Sequence, residues 1–213
     1  LTMSTSAAPP VAIVIHAGAG GKGIKMPANK EKQYHETLTR ALRAGHAVLI
    51  KKGSALDAVQ AAIVVMEDST LFNAGKGAVF TSAGENELDA SIMDGNTLLA
   101  GAVGGVTIIK NPIHAAHAVM KKTPHVMLAG EGADTFAKKV GLEIVPRKYF
   151  YTEHRWKQLK QWKAKQKTEE QSQLEMTREY LGTVGCAALD STGNIAAGTS
   201  TGGLTGKQYG RIG

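Results

Sequence analysis

The stretch GTVGCAALDSTGNIAAGTSTGG, residues 182–203, carries the clearest structural signal in this 213-residue chain. Two runs of small and β-branched residues, 183–189 and 195–200, flank the turn-forming string DSTGN at 190–194. Short apolar runs bounded by Gly, Asn and Asp predict β-strands joined by a tight turn. The stretch therefore predicts a β-hairpin whose first residue is Thr183.

Upstream of the hairpin, the spacing of apolar residues predicts a mixture of helices and strands. Helical spacing recurs over 29–52, after a Ser-x-x-Asp start at Ser54, after Asn111-Pro112, and over 130–140. Strands are predicted at 11–15, 87–92 and 101–109. Because these elements do not alternate as a parallel βαβ series would, we expect an α+β arrangement in helix–sheet–sheet–helix layers.

A polar segment near 155–180 lies directly before the hairpin. It begins with helical spacing and continues in Gln, Lys, Glu and Thr. A polar connection of this length inside a compact domain is usually functional, and here it favours a cleavable linker.

Composition restricts the class of partner. The net charge is +7, but five lysines crowd into the polar segment at 157–167 and no aromatic stacking motif accompanies a second basic cluster, which argues against nucleic acid. No apolar run approaches the roughly 20 residues of a membrane span. The lone Cys186 fits a reducing compartment, and residues 1–10 do not resemble a signal peptide. A cytoplasmic location is the default expectation.

Thr183 is a candidate nucleophile. A threonine hydroxyl needs an adjacent base, and breaking the peptide bond after Gly182 would supply one, because the freed α-amine of Thr183 would have a pKa of about 7.7–8.0. Glycine at 182 suits the strained backbone that such a cleavage requires. By itself, however, Gly-Thr-Val-Gly is also a common strand start, so a purely structural interpretation stays open.

The chain resembles the plant-type asparaginases and isoaspartyl peptidases, which are threonine N-terminal-nucleophile (Ntn) hydrolases, from about residue 11 to residue 213. The hairpin strings GTVG, LDSTGN and TSTGG occur in the order and spacing of that family. Further strings match upstream and downstream: LFNAGKGAVF at 71–80, ELDA at 87–90, MDGNT at 93–97, GAV at 101–103, PHVM at 124–127, GEG at 130–132 and GRIG at 210–213.

The resemblance implies site roles residue by residue. Autocleavage would fall between Gly182 and Thr183, and Thr183 would become the nucleophile. Thr201 matches the threonine whose hydroxyl orients that nucleophile, and Asn73 matches an asparagine that helps to hold its geometry. Arg211 matches the arginine that binds the α-carboxylate of the substrate, a role that suits a planar guanidinium.

The resemblance also implies a fold, substrates and an ion. It implies an Ntn-type αββα sandwich, cut into a 1–182 α-subunit segment and a β-subunit segment starting with 183–213. It implies hydrolysis of small molecules, L-asparagine and β-aspartyl dipeptides, by a dimer of αβ pairs with no redox cofactor or catalytic metal. In bacterial relatives a structural sodium ion is bound by backbone carbonyls that correspond here to those of Met66, Glu67, Ser69, Phe72, Ala74 and Lys76.

Two departures from the family pattern leave alternatives open. Ala17 stands where the family usually has glycine. The family also continues past the position of residue 213 with an aspartate and, later, a Thr-Gly oxyanion hole, so we expect 1–213 to be one incomplete Ntn domain with little activity by itself. The alternatives are an uncleaved or inactive precursor fragment, and a glycosylasparaginase-like or taspase-like hydrolase, against which Gly182 argues because both usually carry Asp there. A nucleotide-binding module at Gly18-x-Gly-x-x-Gly23 is the remote alternative, since no βαβ unit surrounds it.

Overall fold

A computed structural model describes residues 10–18, 26–168 and 182–213, and it confirms the predicted mixed α/β class. No helix in these ranges is long and apolar enough to cross a membrane. The elements follow in chain order: β1 Ala12–His16, α1 Ala28–Ile50, α2 Ala55–Glu67, a 3-10 turn Gly75–Gly77, β2 Leu88–Asp94, β3 Ala100–Val106, α3 Pro112–Lys122, β4 Met127–Ala129, α4 Gly130–Lys139, a 3-10 turn Arg147–Phe150, α5 Glu153–Thr168, β5 Val184–Leu189 and β6 Ile195–Thr201.

The predicted hairpin is confirmed, and it occupies the interior of a six-stranded sheet with the order β1-β5-β6-β2-β3-β4. Val184 pairs with Ser200, so Thr183 lies at the end of β5 beside the end of β6. On one side β1 pairs antiparallel with β5, which brings His16 opposite Gly185. On the other side β2 pairs antiparallel with β6, which brings Asp89 opposite Thr201. Residues from distant parts of the chain therefore meet at this end of the hairpin.

Helices α1, α2 and α3 form the layer that covers one face of the sheet. The space left by the missing side chain of Gly198 on β6 admits Val59 of α2 and Ile113 of α3, whose methyl carbons lie 3.0 and 3.1 Å from the position of a Cβ. Gly45 similarly lets α1 approach Ala58 of α2. This close packing explains why small residues dominate the facing elements, and it holds the hairpin on a rigid support.

The opposite face of the sheet carries exposed apolar side chains. Val14, Met93 and Ile195 are 64%, 44% and 58% exposed. In the described ranges the chain thus forms one sheet with one helical layer, which corresponds to half of the predicted helix–sheet–sheet–helix arrangement.

The sequence patterns did not predict every element of the fold. Some of the predicted features also lie outside the described residues. The three-residue strand β4 is too short to show a periodicity and forms only because β3 pairs with it in parallel. The helical spacing at the start of the polar segment is borne out by α5, where Leu159 is buried and Trp156 contacts Phe80 edge to face. Residues 169–180 of the predicted linker, and residues 19–23 of the nucleotide-binding fingerprint, lie outside the described residues.

Candidate active site

The two predicted threonines meet at the end of the hairpin. The hydroxyl of Thr183 donates a hydrogen bond to Thr201 Oγ1 at 3.0 Å. The Thr201 hydroxyl in turn lies 3.5 Å from the carbonyl oxygen of Gly182 and accepts a hydrogen bond from the Gly203 N–H. One hydroxyl therefore contacts both the candidate nucleophile and the peptide unit that precedes it.

Gly18, which the sequence analysis named only as the first glycine of the nucleotide-binding alternative, packs against the candidate cleavage point. A Cβ at Gly18 would lie 2.8 Å from Gly182 Cα and 3.1 Å from the Thr183 nitrogen, and its φ of +110° is one that side chains rarely allow. The glycine-rich string after β1 was the sequence signal that could have indicated this position. The pairing of β1 with β5 places that string at the start of β5. Ala17 is partly buried and packs against the hydrophobic core, so its methyl group is accommodated.

Asn73 lies on the other side of Gly182 and ties two loops together. It is only 2% exposed, donates to the Gly203 carbonyl at 2.7 Å and accepts from the Val79 N–H at 3.0 Å. A Cβ at Gly182 would lie 3.1 Å from Asn73 Cβ. The structure thus brings Asn73 to the predicted place, and its role in holding the nucleophile stays a prediction.

We expect Asn73→Ala to destabilise the fold by about 2–4 kcal/mol, because it leaves a buried carbonyl and a buried N–H without partners. Urea unfolding checks this against Asn96→Ala, a matched substitution at an exposed turn residue that we expect to change the free energy of unfolding by less than about 0.5 kcal/mol. Equal stability of the two variants would contradict the tethering role.

Arg211 lies on the loop that follows β6. Its side chain is exposed, and a Cβ at Gly203 would lie 2.9 Å from Arg211 Nη1, so the guanidinium reaches back toward the end of β6. Among the described residues Arg211 forms no ion pair. A guanidinium beside Gly203, two residues after Thr201, has the chemistry to bind a carboxylate.

Glu67 is a buried carboxyl group beside the site, and the sequence suggested only a role for its backbone. Its Oε1 accepts a hydrogen bond from the Ile113 N–H at the start of α3. Its Oε2 and the Ser200 hydroxyl are both buried and lack hydrogen-bond partners among the described residues. Burial raises the pKa of Glu67 to about 8, and the hydrogen bond from the Ile113 N–H offsets part of that rise. A proton on Oε2 would let it donate to Ser200, the neighbour of Thr201.

The free energy of unfolding should depend on pH through Glu67. Between its ordinary pKa of 4.5 and the native value of about 8, the native state holds a proton that the unfolded state lacks. Stability from this group is therefore full below the lower value and is lost as the pH rises through the higher one. Glu67→Gln keeps the acceptor and cannot ionise.

We therefore expect the parent to lose on the order of a few kcal/mol relative to Glu67→Gln between pH 5 and pH 8.5. Urea titrations of both proteins at constant sodium concentration check this. Parallel pH profiles would contradict it.

The loop after α2 packs three carbonyls of the predicted sodium site against glycines. A Cβ at Gly77 would lie 2.0 Å from the Phe72 oxygen and 2.9 Å from the Ser69 oxygen, and a Cβ at Gly75 would lie 2.3 Å from the Glu67 oxygen. The glycines thus leave room for the carbonyls to converge. The Ala74 oxygen accepts a hydrogen bond from the Gly77 N–H and keeps a second lone pair. The carbonyl set fits a hard cation, and its occupancy stays a prediction.

Cys186 on β5 is the other nucleophilic side chain close to the site. Burial raises the pKa of its thiol to about 12, so the thiol stays protonated at neutral pH. Because only a thiolate is an effective nucleophile, this buried thiol is not a candidate nucleophile.

Comparison with known proteins agrees with this geometry. The profile of a family described as asparaginase matches residues 9–213. The human isoaspartyl peptidase/L-asparaginase is 44% identical over 201 residues, which cover 94% of this chain and 63% of that protein. The isoaspartyl peptidase of Escherichia coli is 45% identical (94% and 64% covered), and the isoaspartyl peptidase/L-asparaginase of Xenopus laevis is 44% identical (94% and 62%).

The chain thus spans a little less than two thirds of the length of these three relatives. Nearly all of it is matched, and the match includes the hairpin and the loops that surround Thr183. The chain therefore belongs to the plant-type asparaginase and isoaspartyl peptidase family.

Proposed function

We propose that the protein is a threonine-nucleophile amidohydrolase that cleaves itself before Thr183 and then hydrolyses L-asparagine and β-aspartyl dipeptides. The observation that carries the proposal is the 3.0 Å hydrogen bond from the Thr183 hydroxyl to Thr201 Oγ1, with the Gly182 carbonyl 3.5 Å from the same oxygen. Nucleophile, orienting hydroxyl and scissile peptide thus share one hydrogen-bonded cluster.

Self-cleavage follows from this cluster. The Thr183 oxygen attacks the Gly182 carbonyl carbon, the C–N bond breaks, and the acyl group moves from nitrogen to oxygen as the nitrogen takes up a proton. Water then hydrolyses the ester, which releases the Gly182 carboxylate and restores the Thr183 hydroxyl beside the α-amine that the acyl shift has freed. The backbone of Gly18 and the side chain of Asn73 confine Gly182 from both sides, which favours one geometry of attack.

Substrate hydrolysis repeats the same chemistry on an external bond. The free amine takes the proton of the Thr183 hydroxyl, and the oxygen attacks the β-carbonyl carbon of the substrate to form a β-aspartyl-threonyl ester. Ammonia leaves from L-asparagine, and an amino acid leaves from a β-aspartyl dipeptide, each taking up a proton. Water hydrolyses the ester. Both substrates carry a free α-carboxylate, which Arg211 would bind, so a single anchor explains the pairing.

Amino-terminal sequencing and a hydrolysis assay on the full-length protein test the proposal. We expect a second chain that begins at Thr183, release of ammonia from L-asparagine and release of leucine from β-aspartyl-leucine, with α-aspartyl-leucine as the negative control. An uncut, inactive protein would favour the precursor alternative. Cleavage with activity only on glycosylated asparagine or on protein substrates would favour the glycosylasparaginase-like or taspase-like alternative.

We propose that a sodium ion occupies the carbonyl set between Met66 and Lys76, on the strength of the convergent oxygens around Gly75 and Gly77. The residues hold the ion through the backbone alone, and its effect would be to stiffen the loop that presents Asn73. We expect the melting temperature to rise by several degrees when sodium chloride replaces choline chloride at equal ionic strength, since a ligand that binds only the native state stabilises it. No difference between the two salts would reject the site.

A dimer of αβ pairs and a cytoplasmic location complete the proposal. Light scattering on the cleaved protein and cell fractionation test them.

A further inference from the structure

A buried ion pair lies against the loop at residues 202–213, here called the Arg211 loop. The catalytic steps proposed above do not involve this pair. Lys207 Nζ lies 3.5 Å from Asp89 Oδ2, and the two side chains are only 1% and 4% exposed. The Lys207 ammonium also donates to the Glu87 carbonyl at 3.0 Å and lies 3.8 Å from the Glu87 carboxylate. Charges that are this well buried are costly to desolvate, so their retention favours a specific task.

Asp89 binds the Arg211 loop on both sides of the arginine. Its Oδ2 contacts Lys207, four residues before Arg211, and accepts the Gly213 N–H at 2.8 Å, two residues after it. Its Oδ1 accepts the Gly105 N–H at 2.7 Å, which anchors the carboxylate to the strand β3. The carboxylate of Asp89 therefore holds the loop at two points, one before Arg211 and one after it.

The same carboxylate also links the loop to the β5–β6 hairpin. Asp89 is the register partner of Thr201 across β2 and β6. A Cβ at Gly213 would lie 2.3 Å from Thr201 Cγ2, so Gly213 packs directly on the threonine. The loop 202–213 has no helix or strand to hold its shape, and the contacts of Asp89 hold it at Lys207 and at Gly213, on either side of Arg211.

We infer that Asp89 and Lys207 form a positioning pair that sets the Arg211 guanidinium at the distance from Thr183 that an aspartyl α-carboxylate requires. The inference rests on the proposed function and deepens it. Neither side chain touches the substrate; both act through Arg211. Loss of the pair should therefore weaken recognition of the α-carboxylate and leave the reacting groups at the hairpin intact.

Lys207→Met in the full-length protein is the principal test, because methionine keeps the length of the side chain and leaves Asp89 with its two N–H donors. We expect the KM for L-asparagine to rise about tenfold or more while kcat stays within about threefold, the pattern of lost substrate binding. For L-asparagine amide, which has no α-carboxylate, kcat/KM should stay within about threefold of the parent. Cleavage before Thr183 should remain complete.

Lys110→Met is the matched control, because Lys110 pairs with Glu143 at 3.0 Å, away from the hairpin. It should leave KM, kcat and cleavage unchanged. If Lys207→Met does not fold, the double variant Asp89→Asn/Lys207→Met removes both charges and must meet the same criteria. Failure of both variants to fold would show that the pair serves folding alone and would overturn the inference.

These outcomes distinguish failure of the positioning role from failure of the proposed function. If the parent hydrolyses L-asparagine and Lys207→Met leaves KM unchanged, or lowers kcat equally for both substrates, the positioning role is wrong and the proposed function stands. If the cleaved parent hydrolyses no L-asparagine, the proposed function is wrong and the role of the pair falls with it.

Discussion

Thr183→Ala should yield a single uncut chain and lower the hydrolysis of L-asparagine by roughly 10⁴-fold or more, because the variant lacks the nucleophile. The same oxygen performs self-cleavage, so the variant also never gains the free amine that would act as the base. The two losses have one cause, and we therefore expect a larger effect than substitution of Asn73, Lys207 or Arg211 would produce. A denaturing gel and an ammonia assay on the full-length protein measure them.

Two variants control this experiment. Thr39→Ala changes the same residue type at an exposed position of α1 and should leave both cleavage and hydrolysis at the parental level. Thr183→Ser keeps a hydroxyl at the same position and should still cleave itself. Normal two-band processing of Thr183→Ala would refute the assignment of the nucleophile.

Arg211→Met should lower kcat/KM for L-asparagine by about 10²–10³-fold, because the substrate carboxylate would lose its charged partner. Most of the loss should appear in KM, since the carboxylate is bound equally in the ground and transition states. Cleavage before Thr183 should be unaffected, because the peptide at residues 182–183 presents no free carboxylate to Arg211. Steady-state kinetics and the gel distinguish these expectations.

Arg147→Met is the matched control for Arg211. Arg147 is also exposed, and its 3.4 Å ion pair with Glu85 is a surface contact of the kind that contributes little. Its kinetics should match those of the parent. An Arg211→Met protein with unchanged KM for L-asparagine would contradict the carboxylate-binding role.

The predictions that the structure bore out depend on local patterns. The turn string at 190–194 and its flanking apolar runs are sufficient to specify the β5–β6 hairpin, because register follows from turn length. Ser54 accepts a hydrogen bond from the Asp57 N–H, as the Ser-x-x-Asp start predicts for α2. The sequence patterns did not predict the strand β4, because it forms by pairing with β3 and its three residues are too few to show a periodicity.

Local sequence patterns are sufficient to predict the hairpin and the main helices, and the family strings identify four candidate site residues, Thr183, Thr201, Asn73 and Arg211. Sheet order decided what surrounds them: the backbone of Gly18 against Gly182, and the buried carboxyl of Glu67 against Ser200. Lys207 and Asp89 are 118 residues apart in the chain, yet they meet because β2 lies beside β6. Contacts of that range depend on strand pairing and helix packing, and no periodicity within a short window records which distant residues will be neighbours.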